Sequence, residues 1–132
     1  MFEIYKDKNV FIFGGGDSAL DWTVELAKVA KSVSLVHRRD EFRGAQHTEA
    51  QMRDLVKDGS VNLLTPYQIE SINGDNIVTG VTLKNFDTKE SVSKEADELL
   101  EYQVRDYHDN YLDTKYYPKF KYFTPNKTRS TN

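Results

Sequence analysis

An α/β fold, with a parallel sheet flanked by helices and a small antiparallel β layer beside it, is predicted by three features of the sequence. The apolar run Asn9-Val10-Phe11-Ile12-Phe13 ends in Gly14-Gly15-Gly16 and is followed by residues of helical period. Strand-like and helix-like segments then alternate as far as Leu64, the pattern of β-α-β units. Beyond Pro66 the alternation gives way to short strand-like stretches separated by turn residues, the pattern of hairpins.

Taken in order, Asn9 to Phe13 is apolar, β-branched and aromatic without alternation, which predicts a strand buried on both faces and stopped by glycine. Asp17 or Ser18 can cap the helix that follows, where Ala19, Leu20, Thr23, Val24, Leu26, Ala27 and Ala30 recur close to a 3.6-residue period. Ser32 to Val36 predicts a second strand, and the polar turn His37-Arg38-Arg39-Asp40 comes directly after it. From Ala45 to Val56 the spacing of Thr48, Met52, Leu55 and Val56 predicts another helix, with Gly59 as its left-handed stop. Val61 to Leu64 resumes strand character. Gln68 to Ile72 and Ile77 to Phe86 read as a hairpin about Asn73-Gly74-Asp75-Asn76, and Ser91 to Ala96 as a third antiparallel strand after the turn at Asp87 to Glu90.

Composition narrows the function. A chain of 132 residues with a formal net charge of −3 has room for one core, and no apolar run approaches the roughly 20 residues of a membrane span. No membrane partner is expected. The N-terminus lacks the apolar core of a secretory signal, so a cytoplasmic location is the expectation. The absence of cysteine removes disulfides, thiolate nucleophiles and Cys-x-x-Cys redox pairs. His37, His47 and His108 lack metal-ligand spacing, so no metal site is expected. The mild acidity argues against nucleic acid as a partner, basic residues clustering only from Arg38 to Arg43.

Gly14-Gly15-Gly16-Asp17-Ser18-Ala19 fits G-x-G-x-x-G/A, with alanine in the last place. Gly14 permits the tight turn out of the strand, Gly16 lets a pyrophosphate approach the backbone, and Ala19 keeps the helix close to the sheet. Amides at the helix start, helped by the helix dipole, then face the phosphates. The bland alternative is a merely structural turn. The position of the motif, after a predicted strand and before a predicted helix, favours a Rossmann-like dinucleotide site. An NAD site places an acid at the end of the second strand, roughly 20 residues past the glycines. Here Val36 and His37 stand there, followed by Arg38, Arg39 and Arg43, whose guanidinium forks suit a dianionic 2′-phosphate. NADP(H) is therefore the expected cofactor, against the alternative of a solvated basic turn paired with Asp40 and Glu41.

These stretches, Gly14 to Trp22, Leu35 to Arg43 with its His-Arg-Arg-x-x-x-Arg run, and Thr65-Pro66-Tyr67, resemble the NADPH domain of thioredoxin-reductase-like ferredoxin/flavodoxin NADP reductases, over about Lys8 to Ala96. The resemblance implies that Arg38, Arg39 and Arg43 bind the 2′-phosphate and Gly14 to Ala19 the pyrophosphate, with His37 of the same run also expected among the cofactor-binding residues. It also implies an FAD-binding domain or subunit as partner, with hydride passing from NADPH to the flavin and electrons on to ferredoxin or flavodoxin. Thioredoxin reductase proper carries a Cys-x-x-Cys pair that this chain lacks. The family's flavin half flanks this unit, and with only eight residues ahead of Asn9 the expectation is a truncated, excised or frame-altered version of the larger protein. A returning core strand is expected after Asp97-Glu98-Leu99-Leu100, but the sequence turns to Glu101-Tyr102-Gln103-Val104-Arg105, where the resemblance ends.

Two units are thus expected: an NADP(H)-binding domain over residues 1–100 and a tyrosine-rich tail over residues 101–132. The tail reads either as a loosely packed segment or as an arm that docks through its aromatic residues. No residue is nominated as catalytic, and self-association is left open. The rival function is a stand-alone NADP(H) sensor that acts on a partner through the tail.

Overall fold

The computed structural model describes residues 2–101. The tyrosine-rich segment over residues 102–132 lies outside the described residues. A 3₁₀ turn, Phe2–Tyr5, leads into β1 (Asn9–Phe13), α1 (Asp17–Leu26), β2 (Ser32–Val36), α2 (Gln46–Lys57) and β3 (Val61–Leu64). An antiparallel set, β4 (Tyr67–Asn73), β5 (Gly80–Asn85) and β6 (Ser91–Glu95), precedes the final strand β7 (Glu98–Glu101).

The parallel sheet has the order β3-β2-β1-β7 and the antiparallel sheet the order β4-β5-β6. The alternation of side chains along β1 explains the layering. Val10 and Ile12 pack with Leu20, Leu26 and Met52 on the helix side, whereas Phe11 and Phe13 pack with Val81, Leu83 and Leu99 on the side of the antiparallel sheet. Both faces are covered, which is why β1 is a near-continuous apolar run and why even Ser34 of β2 is buried. Chain entry into the core is fixed by a reciprocal pair: Asn9 N donates to Asp97 Oδ2 at 2.8 Å, and Asp97 N donates to the Asn9 carbonyl at 2.8 Å.

β7 escaped the sequence reading. It pairs parallel to β1, with Phe11 beside Leu99 and Phe13 beside Glu101, so the returning core strand is Glu98–Glu101 itself. Four residues, half of them glutamate, carry no periodic signal, yet Leu99 fills one face of the sheet and Leu100 the other. A second correction concerns the hairpin. Ile77 to Thr79 belong to the loop rather than to β5: Gly74 takes a φ of 123°, the Thr79 amide closes onto the Asn73 carbonyl at 3.0 Å, and Ile77 is 73% exposed. The helical stop at Gly59 has the left-handed φ, 88°, that its position requires.

The parallel strands run outward from β1 to β2 to β3, and the chain then returns by way of the antiparallel sheet to place β7 on the other flank of β1. The strand order therefore reverses at β1. Ligands of open α/β sheets bind at such a reversal, outside the carboxyl ends of the strands, and here that place is occupied by Gly14 to Gly16.

Candidate functional site

Two loops meet at the carboxyl ends of β1 and β2. In the first, Gly14 leaves β1 with a φ of 145°, a value open to glycine, and its amide bonds the Val36 carbonyl at 3.0 Å. Gly15 faces inward: a Cβ there would stand 2.3 Å from Nε2 of His37 and 2.4 Å from its Cε1. Gly16 is different, since a Cβ on it would meet nothing within 4 Å. It is the N-cap of α1, with no side chain capping the helix, so the expectation that Asp17 or Ser18 would cap is corrected. Asp17 is already the first helical residue, and its Oδ1 accepts the Ala45 amide at 2.7 Å instead. The first bond back along the helix is from Leu20 N to the Gly16 carbonyl, 3.1 Å. The amides ahead of it are those that every helix start leaves for an outside acceptor. Ser18 is exposed in this first turn, while Ala19 is fully buried against the sheet.

The second loop runs from His37 to Gly44. His37 is 5% exposed; its amide bonds the Leu64 carbonyl and its carbonyl accepts the Tyr67 amide. Its Nε2 donates to the Glu41 carbonyl at 3.1 Å, and its ring lies 5.0 Å from that of Phe42. Burial pushes the imidazole below its ordinary pKa. The charges of Arg38, Arg43 and Arg39 act in the same direction, against the raising effect of the hydrogen bond to Glu41. The ring is neutral at neutral pH, and all three guanidinium groups are close enough to act on it. Arg38 is half-buried, whereas Arg39 and Arg43 are exposed.

The structure brings the two loops together. The Arg43 amide donates to the Gly15 carbonyl at 2.7 Å, and two residues on, Ala45 is held by Asp17. Gly44 lies between these bonds, where a Cβ would stand 2.4 Å from Cδ1 of Leu20 and 3.1 Å from Asp17 Oδ1. On the outer side, Arg53 of α2 donates from Nη2 to the Asp40 carbonyl at 3.3 Å and lies over the Phe42 ring at 5.4 Å. Gly44, Phe42 and Arg53 were not singled out from the sequence. Gly44, a glycine next to the last arginine, was the one visible signal.

The site is polar, basic on one side and lined by backbone amides on the other. The open face at Gly16, beside the start of α1, leaves room for a pyrophosphate, and the guanidinium groups of the adjoining loop suit a phosphomonoester. The residues present therefore fit a phosphorylated dinucleotide. Among the described residues, no group of three or more His, Cys, Asp or Glu side chains comes together as metal ligands would, and no helix is long and apolar enough to cross a membrane.

The family model of the pyridine nucleotide-disulphide oxidoreductases matches residues 9–98. The ferredoxin–NADP reductase of Wolbachia pipientis subsp. Culex pipiens (strain wPip) is 45% identical over 97 residues, which cover 73% of this chain and 29% of that protein. That of Bradyrhizobium diazoefficiens is 54% identical over 86 residues, 64% of this chain and 25% of that protein. The chain thus spans 25–29% of the length of these curated relatives. Among solved structures, the thioredoxin reductase of Lactococcus lactis matches with a TM-score of 0.69 at 25% identity, over 78% of this chain and 33% of that one. The thioredoxin reductase of Giardia duodenalis matches with a TM-score of 0.67 at 28% identity, over the same shares. A parallel sheet that reverses at a glycine turn, with the family match running from β1 to the start of β7, establishes that the chain belongs to the pyridine nucleotide-disulphide oxidoreductase family.

Proposed function

We propose that this chain is the NADP(H)-binding unit of a ferredoxin/flavodoxin–NADP reductase-like flavoprotein. The observation that carries the reading is the bond from the Arg43 amide to the Gly15 carbonyl, which fastens a triply basic loop to a glycine turn whose outer face is open at Gly16. A site of that form suits a ligand with a pyrophosphate and a further phosphate a short distance away. In this reading Gly14 to Ala19 hold the pyrophosphate, through backbone amides and the dipole of α1. Arg38, Arg39 and Arg43 hold the 2′-phosphate by charge-assisted hydrogen bonds.

When bound, NADPH would supply a hydride, and an FAD-binding domain or subunit would supply the acceptor. The described residues bind and orient the dinucleotide; none is assigned as acid, base or nucleophile. Ferredoxin or flavodoxin would receive the electrons from that flavin. The cofactor assignment is tested by calorimetric titration of the purified chain with NADPH and NADH. One charge-assisted bond is worth about 1.5–3 kcal/mol, so NADPH should bind at least about tenfold more tightly. Equal affinities would overturn it. The reductase assignment is tested separately: dye reduction by NADPH should require an added flavoprotein partner or FAD, and turnover with no flavin present would refute it.

A further inference from the structure

A buried polar side chain stands at the junction of the two loops. His37 is 5% exposed and its Nδ1 has no hydrogen-bond partner among the described residues. Its other nitrogen donates to the Glu41 carbonyl at 3.1 Å, which fixes the proton on Nε2 and leaves Nδ1 as a buried acceptor. A leucine would fill the same space without burying an unsatisfied nitrogen. A polar group that stays buried and half-satisfied calls for a reason other than packing.

The reason lies in what the ring touches. One edge fills the space under Gly15 that any other residue's Cβ would occupy, as close as 2.3 Å. The same edge carries the Nε2–H that reaches into the arginine loop at Glu41, and the ring lies against Phe42. The imidazole therefore spans from the floor of the glycine turn to the middle of the arginine loop. The Arg43 amide closes the circuit by returning to the Gly15 carbonyl at 2.7 Å.

We propose that His37 is a positioning residue: its buried imidazole locks the arginine loop to the glycine turn through the Nε2–H bond to Glu41 and so sets the discrimination between phosphorylated and unphosphorylated dinucleotides. Its side chain acts through Glu41 and Gly15 rather than by touching the ligand. The proposal rests on the NADP(H) reading of the site. Loosening the lock leaves the glycine turn in place for the pyrophosphate common to both dinucleotides, but lets the guanidinium groups wander from the 2′-phosphate that only one of them carries.

The test compares the full chain with His37→Gln, which can present a side-chain N–H near the position of Nε2, and His37→Leu, which fills the volume with no donor. Two quantities are measured: the ratio of NADPH to NADH affinity by calorimetry, and hydrogen exchange at the Arg43 amide with Ile12 in mid-β1 as the reference. In His37→Leu the affinity ratio should fall by about fivefold or more, the size of one neutral hydrogen bond, with most of the loss on NADPH. Exchange at Arg43 should rise by about tenfold while Ile12 stays protected. His37→Gln should keep both within about twofold. Equal losses in the two variants, or exposure of Ile12, would mean that bulk and packing explain the residue, and the proposal fails. It fails also if Arg43 exchange is unaltered in His37→Leu while the parent still prefers NADPH. A parent that binds both dinucleotides alike, with the exchange contrast intact, overturns the NADP(H) reading instead and leaves the lock standing.

Discussion

Gly14 and Gly15 are buried and make their bonds through the main chain, whereas Arg39 and Arg43, across the junction, are exposed and offer charge. The two halves of the site therefore fail in different ways. The glycine turn has no side chains to lose, so it is damaged by adding atoms. The arginine loop contributes charge, so it is damaged by removing groups, and water and salt moderate the loss. On the proposed reading, the buried floor of the glycine turn matters for folding, and its open face at Gly16 and the arginine loop matter for binding.

The largest expected effect separates two adjacent glycines. Gly15→Val drives a side chain into the His37 ring at 2.3 Å, and that ring is itself buried. A loss of about 3 kcal/mol or more is expected, lowering the melting temperature by at least ~10 °C. Gly16→Val meets nothing within 4 Å, and the φ of −101° there is open to any residue. It should leave the melting temperature within a few degrees and abolish dinucleotide binding, because the side chain would stand where the pyrophosphate belongs. Thermal melts and titrations of the two variants check this. If Gly16→Val binds normally, the pyrophosphate site lies elsewhere; if Gly15→Val is as stable as the parent, His37 is not the floor of the turn.

Next in size is the arginine half. Replacing Arg38 and Arg39 together by alanine should weaken NADPH by about 2–4 kcal/mol, less than two buried charge-assisted bonds because Arg39 is exposed. NADH should change far less. NADPH affinity of the parent should also fall with added salt more steeply than that of the double variant. Loss of both dinucleotides alike would mean that these arginines hold the loop together instead of reading the phosphate.

The same contrast explains what the sequence could reveal. Gly14 was legible because a backbone requirement, its φ of 145°, is written as a residue type, Ala19 because close packing of helix on sheet is, and the basic loop because charge is. The junction was not. The bond from Arg43 to Gly15 uses two main-chain atoms, and that from Ala45 to Asp17 joins residues 28 apart, so neither leaves a local pattern. Gly15 stands at an unspecified place in the motif, and only the His37 ring beneath it shows why it too is glycine. The three-strand antiparallel layer was visible from its turns, while β7, four residues held in place by β1, was not.

A smaller effect comes from pH, since it involves one group on the boundary of the two halves. An unfolded His37 takes up its proton near pH 6.5, but in the folded chain burial and then Arg38, Arg43 and Arg39 push that event to lower pH. Above about pH 6.5 both states are neutral and the group adds no pH dependence. Between 6.5 and the lower folded value the unfolded state holds more protons, so stability falls as the pH drops through that window. Urea denaturation at about pH 7.5 and 5.5 should show a loss on acidification that is smaller in His37→Gln. An equal loss in both proteins would place the titration on other groups.

The smallest effect tests the outer fastening of the arginine loop. Arg53 pairs with Glu49 at 3.1 Å one helical turn away, donates to the Asp40 carbonyl at 3.3 Å and lies over Phe42 at 5.4 Å. The ion pair is an exposed contact within α2 and is worth only about 0.3–0.5 kcal/mol. The other two contacts reach the loop, so they are the ones that can affect binding. Glu49→Gln should therefore leave NADPH affinity unchanged, whereas Arg53→Ala should cost about 1 kcal/mol of stability and weaken NADPH a few-fold with NADH affected less. Arg53→Lys keeps a positive charge but not the planar fork, and should fall between the two. If Glu49→Gln and Arg53→Ala behave alike, Arg53 serves α2 alone, and the loop is held from the glycine side by His37, Arg43 and Asp17 without help from outside.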